Sequence, residues 1–150
     1  MIFFHTGLTV SNIEEAKALF TELLGMTLTS ERELQGPYLS HMLGIKGEMT
    51  ARIAMLQADE NSFLELVEYT SQQACLPGGK TKSDITITNT PHFAYFAEDL
   101  EEFHSRISPY GLQPLAESLD IIPGGPFAGG KIRFYRSSFG CLLEVIQRPD

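Results

Sequence analysis

Apolar positions along the chain fall into two helical periods, each flanked by short alternating segments. The first period is Ile13, Ala16, Leu19, Phe20, Leu23 and Leu24, one face of a helix, and Gly25 is a natural stop. The second is Leu100, Phe103, Ile107 and Tyr110, with Gly111 as the stop. His104 falls on the polar side of this second helix, which predicts a solvated imidazole. Asn12 with Glu15, and Asp99 with Glu102, stand where a capping box stands, a polar acceptor followed three residues later by a carboxylate. Extended segments follow each helix. They are about Thr27–Arg32, Thr50–Gln57 and Ser62–Tyr69 in the first half, and about Gln113–Ser118, Gly130–Arg136 and Cys141–Gln147 in the second.

These elements form an internal repeat. At a shift of 87 residues His5 aligns with His92, Asn12 with Asp99, Ile13 with Leu100, and Glu14-Glu15 with Glu101-Glu102. The last strands also match, Phe63-Leu64-Glu65-Leu66-Val67 against Leu142-Leu143-Glu144-Val145-Ile146. The pattern predicts an α+β domain over 1–150 built from two tandem βαβββ modules. Module one is about 1–70, a linker about 71–90 carries Pro77-Gly78-Gly79, and module two is about 91–150. Two such modules are expected to curl their sheets into a half-open barrel with the helices outside.

Composition narrows the partners. The chain has 150 residues, 19 acidic against 11 basic, and a formal net charge of −8. That surplus argues against a nucleic-acid binder, whose phosphates the protein would repel at long range. No apolar run approaches the roughly 18 residues of a membrane span. No basic segment opens the chain, where Lys17 is the first cation, and the two cysteines, Cys75 and Cys141, make no disulfide framework. A soluble cytoplasmic protein is the expectation.

Glu65 and Glu144 are harder to place, because each sits in the middle of an apolar strand pentamer. Glutamate is almost never fully buried without a partner. Taken singly, each reads as a hydrogen-bonded edge residue, and His5 and His92 read as ordinary core or surface imidazoles. The repeat changes that weighing. Each module supplies a His on its first strand and a Glu on its last, and pseudo-symmetry would bring all four together. Two imidazoles and two carboxylates suit one divalent ion of borderline character, Zn, Ni, Co, Mn or Fe(II).

From Phe4 to Pro149 the chain resembles the vicinal oxygen chelate superfamily, which includes glyoxalase I, bleomycin resistance proteins and extradiol dioxygenases. The motifs are His5-x-Gly-Leu-x-Val with its helix to Leu24-Gly25-Met26, and Phe63-Leu-Glu65-Leu-Val-Glu-Tyr69. His92-Phe-Ala-Tyr-Phe-Ala-Glu-Asp99, Gly129-Gly-Lys-Ile-Arg-Phe-Tyr135 and Gly140-Cys-Leu-Leu-Glu144-Val-Ile-Gln-Arg-Pro149 complete the set. The likeness is nearest to glyoxalase I and methylmalonyl-CoA epimerase-like members, whose four metal ligands map to His5, Glu65, His92 and Glu144. Extradiol dioxygenases use two histidines and one carboxylate, which His5, His92 and Glu144 also supply. Many relatives carry Asp-Pro-Asp-Gly before the last strand, where this chain has Ser137-Ser138-Phe139-Gly140.

The resemblance implies a metal-dependent isomerase or lyase, an epimerase or a lactoylglutathione lyase-like enzyme, that removes a proton next to a carbonyl. The substrate is a small molecule with two neighbouring oxygens, and a homodimer is implied. Glu144 is the expected base. Glu48, 17 residues before Glu65, stands where epimerases place a second glutamate and reads equally as a solvated loop acid. The alternatives are an iron-dependent ring-cleaving dioxygenase and a non-catalytic small-molecule binder. Residues 36–44, including His41, are candidate pocket wall, and Pro123–Gly130 reads as a lip over the site or as a hairpin connection rich in turn formers.

Overall fold

The computed structural model describes residues 4–37, 49–71 and 91–149. It comprises two compact units, Met1–Gly79 and Lys80–Asp150, and the architecture is α+β. The first unit contains β1 (His5–Thr9), α1 (Ile13–Ala18), a π-helical turn (Leu19–Leu23), β2 (Thr27–Gln35), β3 (Met49–Asp59) and β4 (Ser62–Ser71). Its sheet runs β1-β4-β3-β2, with β1 parallel to β4 and the other pairs antiparallel.

The first helix starts where the sequence says it should. Asn12 Oδ1 accepts from the N–H groups of Glu14 and Glu15 at 3.1 and 3.3 Å, and its amide donates to Glu15 Oε1 at 2.9 Å. Gly25, at φ +74°, closes the helical segment in the left-handed region that side chains disfavour. Between these ends Ile13, Ala16, Leu19, Phe20 and Leu23 are buried, and α1 packs on β3 and β4. Residues alternate faces along a strand, so Leu64, Leu66, Ala54 and Leu56 form the floor beneath the helix. Each fully buried Leu, Ile or Phe contributes about 1.5–3 kcal/mol. The opposite face of the sheet is the one that carries Glu65.

The second unit contains β5 (His92–Phe96), α2 (Leu100–Ser105), a 3₁₀ turn (Ser108–Tyr110), β6 (Gln113–Pro114), β7 (Asp120–Ile121), β8 (Lys131–Arg136) and β9 (Leu142–Gln147). Its order is β5-β9-β8-β6, with β5 parallel to β9 and β7 also pairing with β8. Asp99 Oδ1 accepts from Glu101 and Glu102 N–H at 2.8 and 2.9 Å. Those backbone hydrogen bonds hold the Asp99 carboxyl below its usual range.

Three expectations for this unit are corrected. The helix expected to run to Tyr110 stops at Ser105, because Pro109 has no N–H to give the Ser105 carbonyl and its ring would clash there, and a 3₁₀ turn follows over Ser108–Tyr110. The strand expected over 113–118 is only Gln113–Pro114. Arg133, buried on the helix side of β8, donates to the carbonyls of Ala116 and Glu117, so those groups turn toward a guanidinium instead of a ladder. His104 is half-buried instead of solvated: its Nδ1 lies 3.5 Å from the hydroxyl of fully buried Tyr135.

Pro123–Gly130 is a hydrogen-bonded connection, with Gly129 N–H donating to Ile122 C=O at 2.8 Å and Ile122 N–H to Gly130 C=O at 2.9 Å. A Cβ on Gly130 would sit 2.6 Å from the Gln147 carbonyl oxygen, so only glycine fits there. Among the described residues no helix is long and apolar enough to cross a membrane.

Candidate metal centre

In the first unit β1 and β4 are in parallel register with His5 beside Phe63 and Gly7 beside Glu65. His5 and Glu65 therefore share a face one step apart, and His5 Nε2 lies 3.4 Å from Glu65 Oε2. Gly7 leaves the position beside the carboxylate open, since a Cβ there would meet nothing within 4 Å. Phe4 and Phe63 flank the imidazole, with ring centroids 4.7 Å (Phe4–His5) and 5.7 Å (Phe4–Phe63) apart. Farther along the same face, Met49, Ala51, Ile53 and Val67 form an apolar cluster with Leu34 and Tyr69 packed against it. Arg32, from β2, brings Nη2 to 3.9 Å from Glu65 Oε1.

The second unit repeats the arrangement. His92 stands beside Leu142 and Ala94 beside Glu144, and His92 Nε2 lies 3.1 Å from Glu144 Oε2. Here the β8 residue directly opposite the carboxylate is Phe134, whose ring meets that of His92 edge-on at 5.8 Å. Both carboxylates are mostly shielded, with 19 and 18% of the Glu65 and Glu144 side chains exposed. The strand pattern produces this: each Glu is the polar residue at the centre of an apolar pentamer, 63–67 in β4 and 142–146 in β9.

The donors fit a divalent cation chemically. Each pair offers an imidazole nitrogen and a carboxylate oxygen within one short reach, in surroundings too apolar to favour an uncompensated carboxylate. His5 Nδ1 is buried with no hydrogen-bond partner among the described residues, so the ring's polar contact is made through Nε2, on the Glu65 side. Among the described residues no group of three or more His, Cys, Asp or Glu is gathered at one point. The structure thus brings His5 to Glu65 and His92 to Glu144, as two pairs. Glu48 and His41 lie outside the described residues, as does the rest of 38–48.

A half-buried phenol, Tyr95, and a buried thiol, Cys141, stand apart from this chemistry. Tyr95 lies on the face of β5 opposite to His92 and Ala94. Burial pushes its phenol up to about 12, with neighbouring Cys141 adding to the rise, and burial pushes the Cys141 thiol up to about 12 as well. Both are neutral at physiological pH, and Cys141 is part of the core. Arg32 and Phe134 were not singled out from the sequence. Their signal is parity along a strand, which becomes usable only once the β2–β3–β4 and β8–β9 registers are known.

Residues 2–145 match the model of the Glyoxalase/Bleomycin resistance protein/Dioxygenase superfamily. The chain is 30% identical over 151 residues to a 2-epi-5-epi-valiolone epimerase from an Actinomyces species, covering 97% of this chain and 78% of that protein. In shape it is similar to a glyoxalase family protein from Bacillus cereus, with a TM-score of 0.79 at 16% identity, covering 100% of this chain and 95% of the other. It is also similar to a fosfomycin resistance protein from Listeria monocytogenes solved with Mn(II) and sulfate, with a TM-score of 0.54 at 14% identity and coverage of 98 and 93%. At these identities the structural likeness carries the fold, while the match over nearly the whole sequence carries descent. The module spelled out from His5 and again from His92 is the repeat of a known architecture, and the chain belongs to the Glyoxalase/Bleomycin resistance protein/Dioxygenase superfamily.

Proposed function

We propose that this chain is a metal-dependent isomerase of the epimerase kind, in which His5, Glu65, His92 and Glu144 together hold one divalent ion. The observation that carries the reading is the repeated pair: a histidine two residues before a small residue, Gly7 or Ala94, that stands beside a shielded glutamate. A carboxylate at the centre of an apolar strand needs a partner, and in both units the nearest imidazole stands in the same register to it. The epimerase similarity and the superfamily as a whole support enzyme chemistry on a small molecule.

When bound, a divalent cation stabilises negative charge developing on a substrate oxygen, as proton removal next to a carbonyl requires. The residues of the chain supply the rest. His5 and His92 orient the site through Nε2. Glu144 takes the proton from the carbon, with Phe134 opposite it on β8 and Ala94 beside it on β5. Glu48, outside the described residues, is the candidate for a second base, and two bases favour epimerisation where one shuttling base favours a glyoxalase-like isomerisation. A substrate with two neighbouring oxygens and a homodimeric protein belong to the same reading. An iron dioxygenase, with two histidines and one carboxylate, would leave Glu65 without a role, and the His5–Glu65 pair favours four donors.

The test is deuterium incorporation from heavy water into methylmalonyl-CoA and a cyclic α-hydroxyketone, with metal-loaded protein. The expected result is exchange at the carbon next to the carbonyl, lost in Glu144→Gln. Oxygen uptake with catechols and no exchange would overturn the reading.

A further inference from the structure

The described part of the first unit contains three Lys or Arg side chains, and two of them are spoken for. Lys17 pairs with Glu14 at 2.8 Å and Glu31 at 2.6 Å, and Arg52 pairs with Glu14 and with Glu68 at 3.2 Å. Both lie on the helix side of the sheet, where they tie α1 to β2, β3 and β4. Arg32 is on the other face, in register with Ile53, and therefore on the side of Glu65, Val67 and the apolar cluster. Its side chain is 60% exposed. Its one ion pair among the described residues is with Glu65, at 3.9 Å, beyond hydrogen-bond distance. An exposed pair of that length contributes little to stability. Its position on the donor face, and not its energy, is what calls for explanation.

We propose that Arg32 reads a negatively charged substituent, a carboxylate or a phosphate-type group, on the substrate of this site. The inference rests on the metal-site reading above. With a divalent ion on Glu65, the carboxylate's charge is taken up and the like charge of the ion repels the guanidinium. The arginine then turns its donors toward the open side of the face, next to where the substrate's paired oxygens would sit. A planar guanidinium matches the two oxygens of a carboxylate or phosphate-type group, which a lysine ammonium does not do as well. In a chain with a net charge of −8, such a local cation is also what allows an anion to approach. Substrates are thus α-keto or α-hydroxy compounds with a second, anionic arm.

The test uses cobalt-loaded wild-type protein and three chelating probes of equal length, followed by calorimetry and by the cobalt absorption spectrum. They are α-ketoglutarate, its γ-phosphonate analogue, and α-ketovalerate, which lacks the second charge. Wild type is expected to bind the two charged probes at least about tenfold more tightly than α-ketovalerate. The phosphonate and carboxylate arms then show which oxyanion is preferred. In Arg32→Gln that preference falls to within about twofold, Arg32→Lys keeps part of it, and Co(II) affinity rises because a like charge is gone. A wild type that does not distinguish the probes, or an Arg32→Gln variant that distinguishes them as wild type does, overturns the proposal alone. Failure of the wild type to take up cobalt overturns it together with the metal-site reading.

Discussion

The two units carry the same pair of donors in the same register and differ in almost everything around it. In the first, Glu65 faces Met55 across the sheet, has Arg32 to one side, and is continued by an apolar cluster on a sheet with a nine-residue β2. In the second, Glu144 faces Phe134, and the counterpart of β2 shrinks to Gln113–Pro114 and Asp120–Ile121. The helices differ too, since α1 runs on through a π turn to Leu23 while α2 is cut short ahead of Pro109. What a duplicated module keeps under such drift is its shared chemistry, and what it changes is its specialisation. On the proposed function the first unit reads substrate charge and the second moves the proton.

The comparison can be broken at its strongest difference first, the packing of the helices. Phe20 is fully buried on its helix, whereas Phe103 is half-buried and meets the Tyr135 ring at 5.5 Å. Phe20→Ala is expected to cost about 3–5 kcal/mol in urea unfolding and Phe103→Ala distinctly less. Equal losses would erase the asymmetry. Next in size, Gly130→Ala forces a Cβ toward the Gln147 carbonyl and is expected to cost about 1–3 kcal/mol.

A pH difference follows from Cys141, which the folded chain keeps protonated to about 12 against an ordinary 9.0. Above that ordinary value the unfolded chain releases a proton that the folded one retains, so stability falls as pH rises past 9.0. The share from Cys141 approaches about 1.4 kcal/mol per pH unit, and Cys141→Ala is expected to remove it in unfolding midpoints measured between pH 9.0 and 10.0, below the range where Tyr95 adds its own. The smallest effect is expected of Gly7→Ala. It makes the first unit copy Ala94 of the second in open space and should shift stability by less than about 0.5 kcal/mol. A large loss would show that the two registers are not equivalent.

Much of this organisation is legible in the sequence because it is local. Asn12 and Asp99 announce the helix starts through contacts two and three residues away, and Gly25 and Gly111 end their segments through their own backbone angles. The His and Glu positions are legible because the repeat states them twice. The strand lost after Pro114 was not, since its carbonyls are taken by Arg133, 16 and 17 residues away. Nor was the meeting of Arg32 with Glu65. It needs the registers of two strand pairs and the irregularity between Leu28 and Ser30, and none of these is written in a local pattern.

The central claim is that one cation is shared by both units, and metal analysis tests it most directly. Wild-type protein, Glu65→Gln and Glu144→Gln would each be equilibrated with Zn(II) and assayed for bound metal per chain and for affinity. The account predicts one equivalent in wild type, with affinity lowered at least about tenfold by either substitution alone, since each removes a ligand of the same ion. Two equivalents in wild type with one lost per variant, or a full equivalent held unchanged by either variant, would contradict it.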